Sequence, residues 1–383
     1  MVPRFAPGTG AGVDFLGYWS ASRLMVQRGD PYNHDAMALM QSANRPPTIP
    51  RAKDETPVVV WDPPWLNLVL APLTVLSFQA AAATWMFVNI ALLGLALLLS
   101  LRLLHAERNE GAFLWGVVAT MAFGGTLALV KMGQIGTLVL MSLLLSLWLR
   151  QIGREWLAGA VLLLACIKPH LSYLVILMLV VDSLRTRRFR LVGGLVIAVV
   201  ASTLVSWIFF PRWLESYLGL LGGTPFREVY TSTVGSFATH VLHWRLLRHT
   251  WVLVLPLAWP LLRVAEREGW MTATNIALLV SVPLAPFGYT FDQVVLLPAL
   301  IQMVVWLTSR RGARSVTMTC LAALVAIYAG YWVLLSNGAR PYYWFFWVPL
   351  ALLVVYLVLR ATVASDASTS PPASKNGAPG TLT

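Results

Sequence analysis

Long apolar runs and short polar breaks alternate along most of this chain. Apolar stretches fall at about 65–78, 82–104, 113–130, 134–149, 156–167, 170–183, 191–210, 250–262, 271–287, 293–308, 315–336 and 343–359. A crossing helix needs about 17–25 such residues, so 65–78, 156–167 and 170–183 are short. The pattern predicts an all-α polytopic transmembrane bundle of roughly ten to twelve segments. The run at 65–78 is expected to enter the membrane only partly. The two runs flanking Lys168 are expected to meet as a broken pair, which is tolerated at membrane depth only inside protein or along a cavity.

Ahead of these runs, residues 1–64 read as one long polar loop. Asp14–Tyr32 (DFLGYWSASRLMVQRGDPY) predicts a short interfacial helix with Asp14 at its N-cap. Phe15, Trp19, Ser22 and Val26 share one face, Arg23 and Arg28 are placed to reach lipid phosphates, and Gly29-Asp30-Pro31 stops the helix. Asn33 or Asp35 is expected to cap a second helix running through Met40. Residues 42–62 are polar and proline-rich, and Trp61-Asp62-Pro63-Pro64 marks the return to the membrane. The domain expectation is a first loop (1–64), a membrane domain (65–360) and a disordered tail (361–383). Within the membrane domain, loop 211–249, with Trp213, Tyr217 and Trp244, is expected to place one or two helices on the membrane surface.

Composition agrees with a membrane protein: 58% of residues are hydrophobic and 11% charged, with a mean hydropathy of +0.70. The net charge of +12 gives no reason to expect nucleic acid, because the basic residues cluster between apolar runs as cytoplasmic loops do. Arg150–Arg154, Arg185–Arg190, Arg263–Arg267 and Arg310–Arg314 are expected on the cytoplasmic side. That sets Gly133-Gln134, Lys168-Pro169-His170, loop 211–249, Gly288–Asp292 and Asn337–Tyr343 on the opposite face, together with the first loop. Cys166 and Cys320 lie far apart in apolar segments and read as core thiols. No apolar leader precedes Val13, and no signal peptide is expected.

The chain holds sixteen acidic residues, six of them before the first membrane segment: Asp14, Asp30, Asp35, Asp54, Glu55 and Asp62. A carboxylate general base would be one of the sixteen. Asp14 reads as a helix cap or as that base. Lys168, between apolar runs and before a proline, reads as a snorkelling side chain or as a functional cation that could hold phosphate with His170 and Lys131. Asp292 reads as a cap or a site residue, and Gln134 as an interhelical hydrogen-bonding group or a site residue. No nucleotide-binding, hydrolase-elbow or metal-ligand spacing is present, and neither a metal nor a cofactor is expected.

Asp14, Tyr18, Trp19 and Ala21, then Gly29, Pro31 and Tyr32, resemble the first-loop motif of glycosyltransferase family 87. Pro63-Pro64, Gly133-Gln134, Lys168-Pro169, and Asp292 with Leu296-Leu297-Pro298-Ala299 follow in the family's order, so the likeness covers about 14–305. The resemblance implies a GT-C-like helical bundle with extracytoplasmic loop helices. It implies a multi-pass enzyme of the cell membrane whose active site faces the extracytoplasmic side. The implied reaction is inverting transfer of a sugar, mannose in the best-known members, from a polyprenyl-phosphate-linked donor to a glycolipid or glycan acceptor. Asp14 maps onto the family's base. Tyr18, Trp19, Arg23, Tyr32, Gln134, Lys168, His170 and Asp292 are expected to bind substrate, with Lys168 and His170 on the phosphate side. Three features depart from the family pattern. Thirteen residues precede Asp14 where members usually carry a transmembrane helix, Gly136 replaces a common Asn, and Phe291 replaces a common Tyr. A transporter or lipid-linked-sugar flippase is the rival reading, and a catalytically inactive membrane scaffold is a second; paired inverted repeats and midplane acids would favour the transporter.

Overall fold

The computed structural model describes residues 12–47, 57–223, 230–309, 314–338 and 342–369, and these are helical with short connections. The first loop contributes α1 (Val13–Val26) and α2 (His34–Asn44), and a short α3 (Trp65–Leu70) runs into a 3-10 turn at Ala71–Val75. Then come α4 (Phe78–Leu103), α5 (Glu110–Ala122), α6 (Gly124–Met132), α7 (Gly136–Gln151), α8 (Glu155–Ala165), α9 (Pro169–Arg185) and α10 (Arg190–Phe209). The second half holds α11 (Trp213–Gly223), α12 (Val234–His240), α13 (Thr250–Leu253), α14 (Ala258–Glu268), α15 (Trp270–Leu284), α16 (Leu297–Ser309), α17 (Arg314–Ser336) and α18 (Trp347–Thr369).

Among the described residues five helices are long and apolar enough to cross a membrane: Phe78–Leu103, Arg190–Phe209, Thr290–Ser309, Ser315–Ser336 and Tyr342–Ser365. A sixth crossing results if α5 and α6, bent by 56° at Phe123, form one span. The other expected segments are shorter apolar helices, among them Gly136–Gln151, Glu155–Ala165 and Trp270–Leu284. An apolar run marks lipid and protein interior alike, and α7 and α15 are short helices buried on most sides by neighbouring helices. The run at 65–78 is a short helix and a turn, below crossing length, as expected.

The first helix also differs from its expected place at a membrane surface. Most of α1 is buried. Phe15 stacks on Trp85 at 5.8 Å and on Phe78 at 6.3 Å, and Trp19 meets Phe78 edge-on at 5.9 Å. The helix is thus packed into protein, with α4 as its floor. Its N-cap is Gly12, at φ +84°, and Asp14 lies inside the first turn and caps nothing. The Gly12 N–H donates to the Lys131 carbonyl at 2.8 Å, pinning the start of α1 to the end of α6. Gly133 ends α6 at φ +70°, and a Cβ there would stand 2.7 Å from Phe15 Cβ, so the approach requires glycine. Asn33 caps α2 by accepting the Ala36 N–H, and the helix runs past Met40 to Asn44.

The core is shared by α7, α9, α15 and α16, with Tyr331 and Tyr356 filling it from α17 and α18. Within it Gln302 donates to Thr272 at 2.9 Å and accepts from Tyr356 and Asn275, a polar network internal to the bundle. The helices α8 and α10 cross with their backbones touching: a methyl on Gly159 would overlap the Leu191 carbonyl, and one on Gly194 the Trp156 carbonyl. Close crossings at small residues are the usual device of membrane helices. At the ends of α7, α9 and α18 far from Gln134 and Lys168, ion pairs Arg150–Asp182, Arg185–Glu266, Arg188–Glu155 and Arg360–Glu268 tie the bundle.

Two further expectations change. Loop 211–249 forms two helices, α11 and α12, but Trp213 is buried against Met25, Tyr32 and Phe210. The helix α18 continues to Thr369, so residues 361–369 are helical and do not belong to a disordered tail. Residues 48–56, 310–313 and 370–383, on which parts of the expected loop, basic cluster and tail fall, lie outside the described residues.

Candidate active site

Four interruptions of the helical pattern meet at one end of the bundle, and each delivers a polar side chain. The start of α1 brings Asp14 and Tyr18. The α6–α7 break brings Gln134, the α8–α9 break brings Lys168, and the 3-10 turn Thr290–Leu296 brings Asp292. Each break leaves backbone groups that cannot continue a helix, and polar side chains gather where those groups need partners.

Gln134 is the hub. Its Nε2 donates to Asp14 Oδ2 at 2.9 Å, while its Oε1 accepts from Tyr18 Oη at 2.9 Å and from Lys168 Nζ at 3.0 Å. The amide therefore has one consistent orientation, because a flip would set its NH2 against two donors. Its own carbonyl is held by Trp85 Nε1 at 3.3 Å and Asn89 Nδ2 at 3.2 Å. Lys168 Nζ also donates to Asp292 Oδ1 at 2.7 Å and lies 4.9 Å from the Phe291 ring centre. The other Asp292 oxygen accepts the Tyr289 N–H at 2.9 Å. A continuous chain results: Asp14, Gln134, Lys168, Asp292.

Gln134, Lys168 and Asp292 are buried, and Asp14 is partly exposed. Burial pushes the Asp14 carboxyl above its ordinary range, against the hydrogen bond from Gln134 and the charge of Lys168. One Asp14 oxygen, Oδ1, accepts no hydrogen bond from the described residues. Burial likewise keeps the Tyr18 phenol protonated and donating. The arrangement can hold a hydroxyl at Asp14 and take its proton.

His170 follows at the start of α9, its ring 3.8 Å from that of Phe287 and its buried Nε2 without a hydrogen-bond partner. Other expected residues lie elsewhere. Trp19 donates to the Leu73 carbonyl at 3.3 Å and supports Arg23, whose guanidinium donates to the Thr74 carbonyl at 2.9 Å. One guanidinium nitrogen of the half-buried Arg23 is thus tied to protein backbone. Lys131 is exposed and contributes only its carbonyl to the framework. Lys168 is no free cation, because Asp292 already offsets its charge. Tyr32 lies behind the cluster and donates to the Asp62 carbonyl at 3.2 Å.

One acid of the sixteen with no binding role expected from sequence is brought in by the structure. Asp62 is buried within electrostatic reach of Lys168, Asp292 and Tyr18, and burial raises its carboxyl to about 7. Its signal was an acid lodged between Trp61 and two prolines, where a solvated loop acid would not be. Tyr289, reaching Asp292 through its backbone, was also missed. Among the described residues no group of three His, Cys, Asp or Glu side chains is arranged to hold a metal ion.

No curated protein matches the chain. Among solved structures it is similar to ArnT from Cupriavidus metallidurans bound to undecaprenyl phosphate, at 16% identity, over 94% of this chain and 75% of that one, with a TM-score of 0.45. The profile of glycosyltransferase family 87 matches residues 62–287, which include Gln134, Lys168 and His170. That match spans more than half of this multi-pass membrane chain, and the chain belongs to glycosyltransferase family 87.

Proposed function

We propose that the chain transfers a sugar, mannose, from a polyprenyl-phosphate-linked donor to a hydroxyl of a glycolipid or glycan acceptor, with Asp14 as general base. Family membership supports the reaction class. The observation that carries the role of Asp14 is its geometry: one oxygen is fixed by Gln134 at 2.9 Å, and the other is unengaged in a partly exposed position.

In the proposed step, Asp14 takes the acceptor's hydroxyl proton as the acceptor oxygen bonds to the anomeric carbon. The bond from that carbon to the phosphate oxygen breaks, and its electron pair leaves with the polyprenyl phosphate. A direct displacement of this kind inverts the anomeric centre. Lys168 has one ammonium N–H beyond those given to Gln134 and Asp292, and the unpartnered Nε2 of His170 is the neighbouring candidate. Both are proposed to meet the departing phosphate. The clustered arginines at the opposite end support placing this end of the bundle on the extracytoplasmic side of the cell membrane.

The test is transfer from radiolabelled polyprenyl-phosphate mannose to endogenous lipid acceptors in membranes, wild type beside Asp14→Asn at matched expression. Loss in the variant with donor binding retained supports the assignment. Equal transfer by both removes Asp14 from the mechanism.

A further inference from the structure

Asp62 combines a rigidly held backbone with an unengaged side chain. The Tyr32 hydroxyl donates to the Asp62 carbonyl at 3.2 Å, and the Tyr217 hydroxyl donates to the Trp61 carbonyl at 3.2 Å. The two tyrosine rings pack against each other at 5.2 Å, and Ser216 on the same helix donates to Asp30 at 2.8 Å. Pro63 and Pro64 fix the backbone on the far side. The first loop and α11 thus clamp this one position from both sides.

The one hydrogen bond at Asp62 among the described residues is to its backbone carbonyl and none reaches its carboxylate, although the residue is 8% exposed. Every other acid of the cluster is engaged: Asp14 by Gln134, and Asp292 by Lys168 and Tyr289. An unpartnered buried carboxylate is costly, and proteins keep such groups where a ligand completes them. Its surroundings narrow the ligand. An anion set directly against Asp62 would be repelled by this carboxylate and by Asp292 beside it. A hydroxyl is accepted, because it donates to an ionised carboxylate and accepts from a protonated one.

We propose that Asp62 is a substrate-binding residue that recognises a hydroxyl of the transferred sugar, and so sets which sugar the enzyme takes. The proposal rests on the sugar-transfer reading above. Asp62 would hold the ring while Asp14 acts on the acceptor. The clamp residues Tyr32 and Tyr217 would be positioning residues, acting through the backbone of Asp62.

The experiment is binding to the full chain in detergent, using short-chain polyprenyl-phosphate mannose and its single-deoxy analogues as probes. Wild type, Asp62→Ala and the near-isosteric Asp62→Asn are compared, each first shown to be monodisperse. One deoxy analogue should bind wild type about 10- to 100-fold more weakly than the parent, the loss expected for a hydrogen bond to a charged group. The same analogue should lose less than about twofold in Asp62→Ala, because the partner is already gone. Equal losses for every analogue in wild type and variant would overturn the assignment while leaving the transfer reading in place. Failure of wild type to bind any probe would overturn the donor reading, and this inference with it.

Discussion

Lys168 Nζ stands 2.7 Å from Asp292 Oδ1, an ion pair between residues 124 positions apart, with the two side chains 7% and 2% exposed. Neither charge is tolerable alone in that setting, and each explains the other. Lys168 in turn donates to Gln134, so the pair also fixes the amide that holds Asp14.

Breaking the pair from one side should be severe. Lys168→Met leaves the Asp292 carboxylate buried without its cation, and a loss of about 3–5 kcal/mol is expected. Lys168→Met combined with Asp292→Asn should recover part of it, since the asparagine oxygen still accepts the Tyr289 N–H. Unfolding midpoints in detergent for the two singles and the double would show this. Strictly additive losses would argue against a coupled pair.

The pH dependence of stability follows from the buried acids. An aspartate titrates near 3.8 by default, and in the folded chain Asp62 is raised to about 7. Between those values the folded state holds the extra proton, so the contribution of Asp62 is complete below 3.8 and is lost as pH rises through about 7. Asp14 shifts in the same direction. The unfolding midpoint should therefore fall between about pH 4 and about pH 7, and Asp62→Asn should flatten that fall. An unaltered slope in the variant would mean that Asp62 does not titrate in this range.

Gln134→Leu should cost transfer activity more than stability. It removes the donor that orients Asp14 and the acceptor for Tyr18 and Lys168 together. A misplaced base forfeits much of the 10²- to 10⁴-fold that general base catalysis typically contributes. Gln134→Glu should fare no better, because it replaces the donor to Asp14 with a second carboxylate. Rates at saturating donor, with donor affinity measured separately, distinguish a loss of chemistry from a loss of binding.

Gly133→Ala tests the seat of α1. The residue sits at φ +70°, and its new Cβ would press on Phe15. Strain of about 1–3 kcal/mol is expected, and α1 should shift relative to Gln134. Activity should fall in a protein that still folds. Full activity would show that α1 can yield without moving Asp14.

The breaks in the hydrophobic pattern were the legible part of this molecule. Glycine before Gln134, proline after Lys168 and the polar approach to Asp292 each announced a place where a helix must stop, and the structure joins all three to Asp14. Their partners were not legible, because the Lys168–Asp292 pair depends on helix packing that no local spacing encodes. The same limit explains Trp19 and Arg23. Their aromatic and basic character suits a membrane surface equally well, and only the docking of α3 beside α1 turns Arg23 toward the Thr74 carbonyl. Asp62 was underrated because a proline-rich loop gives no periodicity from which burial could be read. The α8–α10 crossing was present as Gly159, Gly193 and Gly194, residues that hydropathy alone does not distinguish from any other apolar run.

A cluster assembled from four distant chain breaks has a consequence for biogenesis. Tyr18 and Gln134 are 116 residues apart, and Lys168 and Asp292 another 124, so the site consists almost wholly of long-range closures. At synthesis rates of about 5–20 residues per second, α1 emerges on the order of 10–60 seconds before Asp292 exists to neutralise Lys168. For the last 124 residues of that interval, about 6–25 seconds, Lys168 is an uncompensated charge inside a nascent bundle. The cluster can close only when the last contributing segment arrives, which makes a competent site a late milestone of folding and any truncation upstream of Asp292 a dead end for this enzyme.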